Sequence, residues 1–343
     1  MTVRIKDIAK KVNRSITTVS RALNGYDDVN PETAQLILQT AREMGYSPNT
    51  LAQRLQKQST DTIGLVVPTF SPRFSDPYFS ELLAGIGNKA AEVGYDLLVS
   101  TRAPGPQEKE VYEKLVKGGR VDGFIIVRTR TRDPRIQFLL ERNYPFTVFG
   151  RSENLEKYSY VDEDGYFGMK LVAEHLVDLG HKRIAFITPD LEFAFARERL
   201  RGLQDGLQER GLSLDGNLIK VGDLTQKSGY ECCMDLLKIP EPPTAIVACN
   251  DLMAFGAISA AQDSGLEVGK DISITGFDGI PMGEYFHPPL TTVNQPVYKI
   301  GGMVCEMLVN IIKGKISEPE HILMKPSLII RQSTGQLKEE ANL

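Results

Sequence analysis

Apolar and polar positions fall into two textures along this chain. The first 45 residues carry helical spacing. Lys6–Val12 places Ile8, Ala9 and Val12 on one stripe, and Asn13-Arg14 breaks it. Ser15 offers a side-chain oxygen to cap a second helix, Ile16–Asn24, with Val19, Ala22 and Leu23 facing inward. Asn24-Gly25 signals a turn. Asn30-Pro31 opens a third helix, with a capping Asn and a Pro at the first helical position; Leu36, Ile37, Ala41 and Met44 form its stripe and Gly45 ends it. Ser47–Lys57 is polar, with Leu51, Ala52 and Leu55 at i, i+1 and i+4. A helix this short is marginal alone in water, so the segment reads as a linker that turns helical when supported.

From Asp61 the pattern alternates between apolar strand-sized runs and amphipathic helices. A first series predicts strand Ile63–Val67, helix Pro77–Val93, strand Tyr95–Val99, helix Glu108–Lys117, and strands Asp122–Val127 and Phe146–Phe149. A second series begins near Tyr158. It runs through helix Asp164–Leu179, strand Ile184–Ile187, helix Arg197–Gly211, strand Leu218–Val221, helix Gln226–Leu237, strand Ala245–Ala248, helix Asp251–Ser264 and strand Ile272–Thr275. Two such series predict two doubly wound parallel sheets, each covered on both faces by helices. Ligands in such sheets sit beyond the carboxyl ends of the strands, so two facing lobes make a cleft there.

Length and composition narrow this only a little. A chain of 343 residues suits two or three domains, and 41% hydrophobic with 24% charged residues is ordinary for a soluble globular protein. The apolar runs are too short to span a membrane, and the N-terminus becomes charged at once, without the apolar stretch of a secretory signal; a cytoplasmic protein is expected. Cys232, Cys233, Cys249 and Cys305 lack CxxC spacing and read as reduced thiols. His175, His181, His287 and His321 are scattered without metal-ligand spacing, so neither metal nor cofactor is expected. GxSxG, GxxxxGK[ST], HExxH and a GxGxxG after the first strand are all missing, which argues against an enzyme.

Charge changes the picture more. The net charge of −4 divides into +4 over residues 1–58 and −8 over the rest. A basic head on an acidic body fits a head that meets phosphate. In Ser15–Leu23, the second helix turns Ile16, Thr17, Ser20 and Arg21 away from its buried side. A helix-turn-helix reads bases from the N-terminal part of such a helix. Arginine can grip guanine O6 and N7 as a fork, and Ile16 can meet a thymine methyl. Taken as bare pattern, a small helical hairpin with solvated polar side chains remains the competing reading.

The stretch Ile5-Lys6-Asp7-Ile8-Ala9-Lys10-Lys11-Val12, then Thr18-Val19-Ser20-Arg21-Ala22-Leu23-Asn24, Val29-Asn30-Pro31-Glu32-Thr33, Gly45-Tyr46-Ser47-Pro48-Asn49 and Ala52-Gln53-Arg54-Leu55 resembles the head of the lactose-repressor (LacI/GalR) family. The one departure is Asn13-Arg14, where the family usually has Gly or Ala followed by Val. Further matches continue to about residue 335: Asp76-Pro77-Tyr78-Phe79, Asp122-Gly123-Phe124, Leu179-Gly180-His181, Arg199-Leu200-Arg201-Gly202, Asn250-Asp251-Leu252, Gly276-Phe277-Asp278 and Pro289-Leu290-Thr291-Thr292-Val293. The resemblance implies an all-α helix-turn-helix head (1–46), a hinge helix or linker (47–60) and a two-lobed type I periplasmic-binding-protein-like body (61–335). Lobe 1 is expected over about 61–160 and 292–320, lobe 2 over about 161–291 and 321–335. Candidate DNA contacts are Ser15, Ile16, Thr17, Thr18, Ser20, Arg21 and Asn24 in the head. Asn49, Ala52, Arg54 and Leu55 join them from the hinge, with Leu55 as a wedge between base steps in the minor groove.

Candidate ligand contacts are Asp76, Tyr78, Phe79, Arg128, Asp164, Phe193, Arg199, Asn250, Asp278 and Gln295, with Phe195 a weaker aromatic. Vicinal hydroxyls want groups that make two hydrogen bonds at once, and Arg, Asp and Asn supply them, so the effector is expected to be a sugar. The partners implied are a double-stranded DNA operator, a small effector and a second copy of the chain. The function implied is a repressor released from a near-palindromic operator by its sugar. A purine corepressor in the same fold is the alternative, and a sugar-binding protein without a DNA role the remoter one. Leu55→Gly should keep fold and effector binding while weakening operator affinity in a gel-shift titration; unchanged operator binding would remove the wedge.

Overall fold

A computed structural model describes residues 3–46, 59–68, 76–103 and 105–337. The expected hinge, with Asn49, Ala52, Arg54 and Leu55, lies outside the described residues. The chain divides into two compact units, Met1–Ser59 and Thr60–Leu343.

The first unit holds α1 (Ile5–Lys11), α2 (Ile16–Leu23) and α3 (Pro31–Glu43). Asn13 adopts the left-handed backbone (φ 51°) at the turn, as a short amide side chain tolerates, so the departure from the family pattern leaves the turn intact. Ser15 caps α2 by accepting from the Thr18 amide at 3.0 Å. Asn30 caps α3, accepting from the amides of Glu32 and Thr33, with Pro31 following it. Ile8, Ala9, Val12, Val19, Ala22, Ile37 and Ala41 bury together as the core.

In the second unit, β1 (Thr62–Pro68), β2 (Asp96–Arg102), β3 (Gly123–Ile126), β4 (Phe146–Phe149), β5 (Tyr160–Glu163) and β11 (His321–Met324) form a six-stranded sheet in the order β11-β5-β4-β3-β1-β2. Its pairings are parallel. The other sheet has the order β12-β10-β9-β8-β6-β7, from β6 (Ile184–Thr188), β7 (Ile219–Val221), β8 (Ala245–Ala248), β9 (Ser273–Asp278), β10 (Thr291–Asn294) and β12 (Ser327–Ile329). Among the described residues of this sheet, the β10–β12 pair is antiparallel and the other pairs are parallel. Discounting the late strand at one edge, both sheets carry the doubly wound order 2-1-3-4-5, whose switch point makes a crevice at the carboxyl ends. Helices α4 (Pro77–Val93), α5 (Pro106–Lys117), α6 (Pro134–Leu140) and α12 (Val297–Ile312) belong to lobe 1. Helices α7 (Gly165–Asp178), α8 (Ala194–Glu209), α9 (Gln226–Leu237), α10 (Asp251–Asp263) and α11 (Met282–Tyr285) belong to lobe 2. Among the described residues, no helix is long and apolar enough to cross a membrane.

The chain passes between lobes three times: after β5, after β10 and after β11. This corrects the expected lobe boundaries. β5 closes the first sheet instead of opening the second. β10 extends the second sheet beside β9, and 321–324 stay in lobe 1 beside β5. The reason is physical: a strand stays with its sheet to its carboxyl end, so each crossing falls where the ladder runs out. The short edge strands β11 and β12, and α6, α11 and α12, were not predicted individually.

Paired helices approach closely through glycines. A Cβ on Gly256 of α10 would strike the Gln226 carbonyl of α9, and one on Gly229 of α9 the Met253 carbonyl of α10. Gly256→Ala should therefore lower stability by about 1–3 kcal/mol, the scale of overpacking, read as a lower denaturation midpoint; an unchanged midpoint would show that the two helices part freely.

Candidate functional sites

In the head, α2 presents Ile16, 54% exposed, beside exposed Thr17. Its other face is shut, with Val19 and Ala22 buried. Ser15 and Thr18 also share a hydroxyl contact of 2.8 Å, so both hydroxyls fix the helix start. Asn24 ends the helix and donates to Ser20 Oγ at 3.5 Å. Arg14 is exposed and stays out of the core. The structure thus brings Ser15, Ile16, Thr17, Thr18, Ser20, Arg21 and Asn24 together on one short helix and its two ends, and an α-helix is of a size that enters a major groove.

In the body, the candidate residues converge where the strands of both lobes end. A space there is lined by Asp76, Tyr78, Arg128, Arg199, Asn250 and Asp278, together with Thr129, Phe149, Gly150, Asp162, Glu163, Phe195 and Leu224. Asp76 follows β1 and caps α4 through the Tyr78 amide at 3.1 Å. Arg128, just beyond β3, reaches Asp76 Oδ2 at 2.8 Å and lies over the Phe79 ring at 4.5 Å. It does so from a left-handed backbone (φ 50°), which costs a non-glycine residue about 1–2 kcal/mol. Such strain at a cleft is the kind retained for orientation.

Arg199 is 4% exposed and dominates the other wall. Its Nη2 donates to Glu163 Oε1 at 2.9 Å, its Nη1 to the Cys249 carbonyl at 2.6 Å, and Nη1 stands 3.8 Å from Asp278 Oδ1. Phe277 lies 3.5 Å and Phe195 5.0 Å from its guanidinium carbon. The Nε–H has no acceptor among the described residues. Gln295 donates to Asp278 Oδ1 at 2.7 Å and so aims that carboxylate. Burial pushes the Asp278 carboxyl well above the usual carboxylate range, against the pull of Arg199. Burial does the same to Asp162, reinforced by the neighbouring Glu163 and opposed by Arg151. Asp76 is raised for the same first reason, with Arg128 opposing.

The lobes also touch beside the cleft. Thr131 N donates to the Glu192 carbonyl at 2.9 Å, Ala194 N to the Thr129 carbonyl at 3.0 Å, and Arg130 pairs with Glu192 at 3.2 Å.

Four candidates are placed otherwise. Phe79 is buried under Arg128 and supports it from the core. Asp164 turns back to cap α7 through the Phe167 amide at 3.0 Å, while its neighbour Glu163 enters the cleft. Phe193 precedes α8 and stacks on Phe195 at 5.7 Å; Phe195 itself lines the space. Gln295 acts through Asp278. Asn250 lines the space, yet both its amide atoms are engaged: Oδ1 caps α10 at 3.0 Å and Nδ2 donates to Leu224 O at 3.1 Å. Helical spacing had a signal for Phe195, which precedes Arg199 by four positions on α8. The strand-end rule had one for Phe149 and Glu163, the last residues of β4 and β5.

Known proteins resemble this chain along both its head and its body. Residues 4–49 match the profile described as bacterial regulatory proteins, lacI family, and residues 173–334 one described as a periplasmic binding protein-like domain. The HTH-type transcriptional regulator AglR of Rhizobium meliloti (strain 1021) is 38% identical over 347 residues, spanning 100% of this chain and 97% of its own length. A transcriptional regulator CelR–cellobiose complex superposes with a TM-score of 0.75 at 30% identity, covering 96% of this chain and 99% of that one. The lac repressor dimer bound to operator and the anti-inducer ONPF superposes with a TM-score of 0.86 at 28% identity, covering 97% and 99%.

The buried Asp251, at the start of α10, ties the stability of the body to pH. It accepts from Thr292 Oγ1 at 2.5 Å and from Ile280 N at 2.8 Å, and burial raises it from 3.8 to about 6. Between those two values the folded state holds a proton that the unfolded chain has lost, so stability falls as pH rises through that window. Asp251→Asn should flatten that part of the stability–pH curve in denaturant titrations; an identical slope would show that Asp251 titrates normally.

By its head, its two-lobed body and its relatives alike, the chain belongs to the lacI family of bacterial regulatory proteins and is a DNA-binding transcriptional regulator.

Proposed function

We propose that the protein is a repressor that binds a near-palindromic operator as a homodimer in the cytoplasm and is released when a neutral sugar enters the cleft. The observation that carries this reading is Arg199. A buried guanidinium with an unengaged Nε–H, flanked by Glu163 and Asp278 and faced by Phe195, offers donor, acceptors and an aromatic surface at one point. That is the chemistry a pyranose asks for: paired hydroxyls on one side and C–H on the other. Arg128 is already held by Asp76 and Arg199 by Glu163, while Asp162 is held by Arg151, so the residues lining the space offer a phosphorylated sugar no cation that is not already paired. The cellobiose held by CelR supports the same ligand class. Aromatic faces serve a nucleobase too, but an excess of carboxylates over amides favours hydroxyl recognition.

Release follows from linkage. A sugar that favours one arrangement of the lobes changes operator affinity by its differential affinity for the two arrangements. A coupling of about 1–3 kcal/mol is typical, whereas moving the population from 99:1 to 1:99 needs roughly 5.5 kcal/mol.

A thermal-shift screen of neutral mono- and disaccharides, sugar phosphates and nucleobases tests the reading. A neutral sugar should raise the melting temperature and lower operator affinity, and sugar phosphates should do neither. Asp278→Ala should keep operator binding and lose the response to that sugar. A shift by nucleobases alone, with tighter operator binding, would replace release by corepression.

A further inference from the structure

Two residues in the segment after α2 engage the guanidinium of Arg21. Asp28 takes it side-on: Nε donates to Oδ1 at 2.9 Å and Nη2 pairs with Oδ2 at 2.5 Å. The Tyr26 ring lies against it, its centroid 4.7 Å from Cζ. Asp28 and Arg21 line a groove together with Arg14, Ser15, Thr17 and Thr18, beside the start of α2.

An exposed ion pair adds little to stability. A carboxylate on a surface that meets phosphate also weakens attraction to any DNA. Fold stability therefore gives little reason for Asp28, whereas the geometry of the fork gives a specific one. Guanidinium has two bidentate edges. The side-on edge, Nε with one proton of Nη2, is occupied by Asp28. The end-on edge, Nη1 with the outer proton of Nη2, is the one whose spacing matches guanine O6 and N7. Clamping the first edge fixes the plane and direction of the second, so less side-chain freedom is lost on binding.

We propose that Asp28 is a specificity-determining positioning residue, holding Arg21 against Tyr26 as a preoriented reader of one guanine in each half-site. The proposal rests on α2 being the DNA-reading helix. It assigns to Asp28 no DNA contact of its own.

The test uses the full chain and the duplex that the wild-type protein enriches from a randomised library. Affinity is measured for that duplex, for each single-base-pair variant and for random duplex, across a salt series. Arg21→Ala should lose about 10- to 100-fold discrimination at one G·C pair. Asp28→Asn should lose about 2- to 10-fold at that same pair, the scale of one side chain left unordered. It should meanwhile bind random duplex more tightly, with a salt dependence steeper by roughly one unit per head. In the Arg21→Ala background Asp28→Asn should not change discrimination further, whereas with Arg21 in place Asp28→Glu, which keeps the carboxylate, should retain part of the discrimination that Asp28→Asn loses. If Asp28→Asn shifts every duplex equally, or sharpens discrimination, Asp28 is only a repulsive charge and the proposal is overturned. If the wild-type protein enriches no sequence, the reading of α2 fails and the proposal falls with it, a result separable from the first.

Discussion

A guanidinium out of reach of water must find its partners inside the protein, and Arg199 finds them in both lobes. Its own helix and the Cys249 and Asp278 partners belong to lobe 2, while Glu163 is the last residue of a lobe 1 strand. Removing one partner of a buried pair typically costs about 3–5 kcal/mol, because the charge left behind stays buried. The relative placement of the lobes is therefore tied to where this charge is satisfied. A ligand that supplies an acceptor to the Nε–H, or competes for Glu163, acts directly on one of the interactions that join the lobes.

Asp278 and Gln295 extend that constraint. Asp278 sits at the end of β9 with positive φ (127°), aimed by Gln295 from the second crossover. Glu163 stands at the first crossover, next to the Asp164 cap of α7. Ligand chemistry and lobe connection thus share the same few residues. A hydrogen bond formed in the cleft and a change in the connecting segments are one event, and this is the physical form that coupling takes in a two-lobed body.

Much of this was legible in the sequence. The caps Ser15 and Asn30 were readable because each depends on one or two neighbouring residues. Helices such as Pro77–Val93 and Gln226–Leu237, and strands Phe146–Phe149 and Ala245–Ala248, were readable because their apolar periods are sustained. The lobe boundaries were not, since whether Tyr160–Glu163 pairs with β4 or opens another sheet is decided by partners distant in the chain. The cleft residues divided the same way. Arg128, Arg199 and Asp278 were found by position after a strand or at a helix start. Choosing Glu163 over Asp164, or Phe195 over Phe193, required knowing which side chain turned back to cap or stack. Asp28 was invisible because its role lies in a partner seven residues away.

The threefold passage between lobes bears on how the polypeptide is made. Lobe 1 needs α12 and the edge strand at 321–324, yet a ribosome delivers its first five strands long before these emerge. Until then the β5 edge and the apolar surface that α12 will cover stay open, while all of lobe 2 except β12 is synthesised in between. The amino-terminal lobe is thus among the last parts to close. A nascent chain halted between residues 164 and 296 would carry an unfinished sheet, the kind of species that chaperones bind and that otherwise aggregates.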